Sequence, residues 1–132
     1  SARVAGNIVN DDILGSLEFA CKLAGAKLVV VLGHTSCGAV KGACDQAELG
    51  NLTALLSKIN PAVLAVTEPE NPEERTSKNA AFVDAVALEN VRLTVQNVRT
   101  YSNVLRSMEK EGAIKIIGAM YDVATGKVQF LD

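Results

Sequence analysis

Residues 27–42 read "KLVVVLGHTSCGAVKG". The β-branched run at residues 27–32 is bounded by glycines, which is typical of a strand buried on both faces. A glycine-flanked turn follows this run, and a second helix is expected to begin just after residues 34–38. A buried strand that leads through a tight turn into a helix is the repeating unit of an α/β fold with a mostly parallel sheet flanked by helices.

The segments before this stretch supply a turn and a first helix. "RVAGNIV" (residues 3–9) is predicted to be a short extended segment that is interrupted by a turn at Gly6-Asn7. Asn10 and the two aspartates after it are typical helix N-caps. Apolar residues then recur at helical spacing as far as Gly25, and Cys21 is one of them. The turn Gly6-Asn7 therefore lies at another junction between a strand and a helix, where α/β proteins form their sites.

The segments after it alternate helices and strands. A short helix is expected at residues 51–59, stopped by Pro61, and a polar loop at 67–78. A long helix is expected at 79–111, with a bend or break at residues 101–103. A second buried strand covers residues 113–123, and its part at 113–118 is predicted to run parallel to the strand at 27–32. Residues 127–131 are predicted to form a strand at the sheet edge.

Composition narrows the functional classes. The 132 residues fit a single domain, residues 1–132, and 48% of them are apolar. The net charge is −2 and no basic run stands out, which argues against nucleic acid or an anionic membrane as a partner. No apolar stretch is long enough to span a bilayer. Three cysteines do not suggest a disulfide framework, so a reducing, cytoplasmic location is expected. A transit peptide already removed would leave no trace here.

The turn carries His34 and Cys37, two side chains that both make good zinc ligands. His34 is the sole histidine of the chain. Gly33 and Gly38 flank the pair and let the backbone bend tightly. Two hypotheses fit this spacing: half of a metal site, or a core cysteine beside a hydrogen-bonded histidine. The pair alone does not choose between them.

The other two cysteines do not complete a metal site. Cys44 follows Cys37 by seven residues, which is about 10 Å along a helix axis. Two sulfurs that each lie about 2.3 Å from one zinc ion cannot be so far apart. Cys21 belongs to the apolar stripe of the first helix, where a packing role is expected. Two convincing ligands remain, and a zinc site needs more.

Several segments together resemble the β-class carbonic anhydrases: "RVAGNIV", "GSLEFA", "VVVLGHTSCGAVKGA" and "IIGAMYDVATGKVQF". In that family a cysteine from an early C-x-D-x-R motif and the histidine and cysteine of an H-x-x-C motif hold Zn²⁺, and His34 and Cys37 match the second motif. The resemblance implies a lyase that interconverts carbon dioxide and bicarbonate. It also implies a homodimer or larger homo-oligomer, whose active site is built across the dimer interface.

The chain departs from the family at its beginning. No C-x-D-x-R is present, and Arg3 belongs to the later segment "RVAGN". The family's first strand, central in its sheet, is therefore expected to be missing from this sequence, as is the N-terminal arm. The missing motif leaves open a non-catalytic homologue without a complete zinc site. A second alternative is a related hydrolase of carbonyl sulfide or carbon disulfide, which would have the same fold and ligands. No second histidine can shuttle protons, so buffer or a carboxylate would have to serve.

Overall fold

One mixed sheet of three strands organises the computed structural model, which describes residues 1–131. Strand β1 (Leu28–His34) pairs in parallel with β2 (Lys115–Tyr121), and β2 pairs antiparallel with β3 (Val128–Phe130) at the edge. The predicted α/β fold, parallel pair and edge strand are confirmed. In the described part of the chain the sheet has one parallel and one antiparallel pairing, so it is mixed rather than mostly parallel.

The described residues also form six α-helices: α1 (Asp11–Glu18), α2 (Gly38–Cys44), α3 (Gly50–Ser57), α4 (Asn60–Ala65), α5 (Ala80–Tyr101) and α6 (Asn103–Lys110). A π-helical segment, Phe19–Leu23, extends α1, and Pro72–Glu74 forms a short 3-10 turn within the predicted polar loop. None of the described helices combines the length and the apolar character needed to cross a membrane.

Two local predictions need correction. The predicted turn at Gly6-Asn7 is present as a 3-10 turn, Ala5–Asn7, in which Gly6 and Asn7 both have positive φ angles, 81° and 53°, but residues 3–9 form no strand of the sheet. Pro61 does not merely end a helix. It occupies the first turn of α4, where the missing N–H of proline costs no hydrogen bond. Asn10 caps α1 as predicted, since its side chain accepts a hydrogen bond from the Ile13 amide at 2.9 Å.

The predicted long helix is broken where its sequence suggested. Ser102 has extended backbone angles between α5 and α6, and its hydroxyl accepts from the Leu105 amide at 3.1 Å as an N-cap. The same hydroxyl donates to the Glu18 carboxylate at 2.6 Å. Ser102 is 1% exposed, so this bond links α1 to the helix break in the interior.

The expectation that β1 is buried on both faces is wrong for this chain. Val29 and Val31 are buried under the helices, whereas Leu28, Val30 and Leu32 are 51%, 38% and 44% exposed. A β-branched run is apolar at every position, so its sequence does not say which face another element covers. One apolar face of β1 is therefore open in the described structure.

Helix α5 lies directly against the sheet through two glycines. A Cβ atom at Gly33 would lie 2.4 Å from Val91 Cγ2, and one at Gly118 would lie 2.7 Å from Val91 Cγ1. Val91 is fully buried, and Gly118 pairs with Val31 in the strand ladder. The two glycines thus form a notch that receives Val91 and lets α5 approach β1 and β2 closely.

This notch generates a prediction for folding stability. In the full polypeptide, Gly118→Ala should destabilise the fold by about 1–3 kcal/mol, because overpacking a closed core forces neighbouring atoms to shift. Gly15 is the matched control, since a Cβ there meets nothing within 4 Å and the residue lies inside α1. Gly15→Ala should stabilise by about 0.5–1 kcal/mol. Urea unfolding measures both, and a neutral Gly118→Ala would contradict the notch.

Candidate metal centre

The turn between β1 and α2 begins at the carboxyl end of the parallel pair. His34 is the last residue of β1 and lies opposite Tyr121 in the ladder. The Thr35 amide donates to the Tyr121 carbonyl at 3.0 Å, and the Thr35 hydroxyl oxygen accepts from the Val123 amide at 3.0 Å. The turn is therefore tied at its start to the end of β2.

The imidazole of His34 is held in one tautomer. Its Nδ1 atom lies 2.8 Å from the carbonyl oxygen of Thr35. A carbonyl oxygen can only accept a hydrogen bond, so Nδ1 carries the proton. In the neutral ring the lone pair is then on Nε2. Metal-binding histidines commonly have this arrangement, in which one ring nitrogen donates to a backbone carbonyl and the other faces the ion.

Cys37 lies directly before the first residue of α2. It is 5% exposed, and its carbonyl accepts the Lys41 amide at 2.9 Å, which starts the helix. The left-handed residue of the turn is Ser36, with φ of 55°, whereas neither Gly33 nor Gly38 has a positive φ angle. Gly33 is required by close packing against Val91, and a side chain at Gly38 would meet open space. Ser36 thus makes the sharp change of chain direction.

The remaining cysteines are buried elsewhere and make no disulfide. Burial, with the neighbouring Asp45 carboxylate, raises the pKa of the Cys44 thiol to about 11, so the group is uncharged at neutral pH. Burial likewise raises the pKa of Cys21, which packs in the core cluster with Leu14 and Val29. A protonated thiol is a poor metal ligand, because metals bind the thiolate. Neither side chain offers a ready donor.

The turn Gly6-Asn7 is fastened between β1 and α5. The Asn7 side-chain amide donates to the Leu32 carbonyl. From α5, the Asn90 amide donates to the Gly6 carbonyl at 2.5 Å and the Thr94 hydroxyl to the Asn7 carbonyl at 2.9 Å. Gly6 has little room for a side chain, since a Cβ would lie 2.6 Å from Ile59 Cδ1.

A groove of about 800 Å³ runs along β1 beside this turn. At the carboxyl end of β1 the groove is lined by polar residues, including Asn7, His34 and Thr94. Along the strand itself its lining is apolar. The structure thus brings Gly6, Asn7, Gly33 and His34 to one end of β1.

Several residues of this region were missed from sequence. Asn90 and Thr94 interrupt the buried apolar stripe of α5 at a spacing of four, and two buried polar positions on one helix face were the available signal. Asp84 accepts a hydrogen bond from the Ser36 amide at 3.0 Å, across 48 residues of sequence. No pattern in the sequence indicated that contact.

The chemistry of His34 and Cys37 fits zinc in donor type, because imidazole nitrogen and cysteine sulfur are its preferred ligands. Within residues 1–131, however, no group of three or more His, Cys, Asp or Glu side chains converges as a metal site would require. The described part of the chain therefore supplies two donors from a single turn.

Comparison with known proteins identifies the family. The family model of carbonic anhydrase matches residues 1–128. A carbonic anhydrase of Pseudomonas aeruginosa is 32% identical over 98% of this chain and 60% of its own length. Among solved structures, the β-carbonic anhydrase CcaA matches with a TM-score of 0.84 at 22% identity, covering 99% of this chain and 66% of CcaA. Tetrameric β-carbonic anhydrases of Sordaria macrospora match with a TM-score of 0.80 at 21% identity, over 98% of this chain and 66% of theirs.

Each match includes nearly all of this chain but only part of the relative. This chain spans 44–61% of the length of the curated relatives that it matches, while nearly all of it is included in each match. The match of the family model over residues 1–128 includes both strands of the parallel pair and the whole turn from His34 to Gly38. The chain belongs to the β-class carbonic anhydrase family.

Proposed function

We propose that the protein containing this chain catalyses the zinc-dependent, reversible hydration of carbon dioxide to bicarbonate. The proposal rests on one observation: His34 Nδ1 donates a hydrogen bond to the Thr35 carbonyl. His34 lies three residues before the buried Cys37, and the chain belongs to the carbonic anhydrase family. That bond leaves Nε2 free to bind an ion. His34 and Cys37 are the proposed zinc ligands.

Zinc in such a site acts as a Lewis acid and lowers the pKa of water to about 7, which supplies hydroxide at neutral pH. The residues of this chain prepare the site for that chemistry. Thr35 holds the His34 ring in the tautomer that presents Nε2. The groove along β1 places the half-buried His34 beside open space, together with the polar side chain of Asn7.

Two features of the site are expected to depend on groups outside this turn. Catalytic zinc sites use about three protein ligands, and the described residues offer two. The third is expected from the cysteine of the C-x-D-x-R segment that the family resemblance implies. These 132 residues contain no second histidine to carry protons, and the proton released on hydration is expected to pass to buffer or to a carboxylate.

Assembly into a homodimer or a larger homo-oligomer is part of the proposal. Solved relatives from Sordaria macrospora are tetramers. This chain also leaves apolar side chains exposed to a degree that a monomer rarely tolerates, namely Phe19, Leu23, Leu28, Leu32 and Phe130.

Single substitutions of the two buried cysteines at the ends of α2 test the ligand assignment. In the full polypeptide, Cys37→Ala should weaken zinc binding by more than about 100-fold, a larger loss than second-shell substitutions cause. It should also abolish carbon dioxide hydration, as should His34→Ala. Cys44→Ala is the matched control and should retain one zinc per chain, because its thiol is protonated at neutral pH. Metal analysis and stopped-flow hydration assays measure these effects.

The assays also separate the proposal from its rivals. Loss of zinc from Cys44→Ala with retention in Cys37→Ala would overturn the ligand assignment. Rapid turnover of carbonyl sulfide with negligible hydration of carbon dioxide, measured in parallel, would instead identify the related hydrolase. Absence of both activities from zinc-loaded protein would favour a non-catalytic homologue.

A polypeptide that consists only of residues 1–132 should bind zinc weakly and lack carbonic anhydrase activity. Two ligands leave about half of a tetrahedral coordination sphere to water. The absent cysteine thiolate would also have supplied a negative charge that partly offsets the charge of the ion. Metal analysis after gel filtration, on protein whose mass has been verified, should find substoichiometric zinc. One zinc per chain with fast hydration from that same polypeptide would contradict the prediction.

Sedimentation of the full polypeptide tests the assembly. Because exposed apolar surface of this kind is normally covered, the protein should sediment as a dimer or larger species at micromolar concentration. Polar substitution of Leu28 together with Leu32, which are exposed on β1, should shift the distribution towards smaller species if this face is part of the interface. A stable wild-type monomer would argue against assembly.

A further inference from the structure

Two residues lie between the proposed ligands, and Ser36 is the one with the less favourable backbone conformation. Its φ angle of 55° lies in the left-handed region, which residues with a side chain adopt at a cost. Its own side chain makes no hydrogen bond among the described contacts, and the residue is exposed. The Ser36 amide instead donates to Asp84 Oδ1 at 3.0 Å. A hydrogen bond to an ionised acceptor is stronger than one between neutral groups, so this bond can hold the strained residue in place.

Asp84 lies in the first turns of α5, next to buried residues. Asn79 caps this helix by accepting the Phe82 amide at 3.3 Å. Phe82 and Val83, the residues just before Asp84, are 2% and 1% exposed. The guanidinium of Arg75 lies 4.6 Å from the centre of the Phe82 ring and donates to three carbonyls of the preceding segment. The position of the Asp84 backbone is therefore set by the core.

Asp84 is not placed as a metal ligand itself. With His34 and Cys37 it does not form a converging group of three metal-binding side chains. Its contact with the turn is through the backbone of Ser36, the residue that precedes Cys37. The orientation of the Ser36 peptide decides where the Cys37 sulfur lies relative to His34. Metal sites need their ligands within about 0.2 Å of ideal distances, so a small rotation there matters.

We propose that Asp84 is a positioning residue of the metal centre: its carboxylate holds the Ser36 amide and thereby fixes the spacing of His34 and Cys37. This inference rests on the proposed function, in which those two side chains bind zinc. Thr35 anchors the first half of the turn to β2, and Asp84 anchors the second half to α5.

Three variants isolate the role of this hydrogen bond. Asp84→Ala removes the acceptor, and Asp84→Asn keeps an acceptor oxygen without the charge. The matched control is Asp45→Ala, because Asp45 Oδ1 accepts from the Ser77 amide at 2.8 Å in the same way. Asp45 follows the far end of α2, away from the turn.

The measurements are the zinc dissociation constant of the full polypeptide, by competition with a chelator, and hydrogen exchange of the Ser36 amide in metal-free protein. Asp84→Ala should weaken zinc binding about 10-fold or more, the size expected for loss of a second-shell contact, and accelerate Ser36 exchange. Asp84→Asn should restore most of the affinity. Asp45→Ala should leave zinc affinity unchanged, although it also removes a carboxylate–amide bond.

Each outcome decides between the two proposals. If Cys37→Ala abolishes zinc binding but Asp84→Ala binds as tightly as wild type, the positioning role is overturned and the ligand assignment stands. If Asp45→Ala weakens zinc as much as Asp84→Ala, the effect is general destabilisation and the positioning role is again overturned. If zinc binding survives Cys37→Ala, both proposals fail. Should Asp84→Ala not fold, unprotected exchange of the Ser36 amide in wild type would by itself overturn the inference.

Discussion

The packing of Val91 between Gly33 and Gly118 is the constraint on which the rest of the structure depends. Gly33 of β1 and Gly118 of β2 lie two positions apart in the ladder, and one buried valine of α5 fills the space that both leave. Because the helix approaches so closely, short polar side chains on it can reach the backbone beside β1. Asn90 and Thr94 span the distance to the turn Gly6-Asn7 with direct hydrogen bonds. A larger separation would require water or longer side chains at both positions.

Hydrogen bonds rather than burial define the geometry of the turn that follows β1. His34 and Thr35 are half-buried and Ser36 is exposed, so packing alone does not hold them. Each residue is bound to a different part of the fold: Thr35 to the end of β2, and Ser36 to α5. Cys37 is buried and begins α2. The two candidate ligands are therefore separated by two residues whose positions are determined independently.

Much of the fold could be predicted from local sequence, because its signals are local. The β-branched runs gave both parallel strands, and the polar break at Ser102 separated α5 from α6 as expected. The open face of β1 could not be foreseen, since an apolar strand looks the same whether one face or two are covered. Pro61 was misread because proline both ends one helix and begins the next. The hydrogen bond of Asp84 joins positions 48 residues apart, and neither partner has a local signature. At the site, the spacing of His34 and Cys37 indicated metal-binding chemistry, but only the family resemblance favoured zinc over a packed cysteine.

Hydrogen bonds that fasten the two turns beside β1 to the rest of the fold are long-range, which has a consequence for the order of events in folding. The Val123 amide reaches Thr35 across 88 residues, and the Thr94 hydroxyl reaches Asn7 across 87. Contacts of such separation form slowly, because a long loop must close before any of them can stabilise the chain. On a ribosome that adds about 5–20 residues per second, the parallel pair cannot form until several seconds after Cys37 has been synthesised. During that interval the Cys37 thiol lacks the burial that it has in the folded chain, so oxidants have greater access to it.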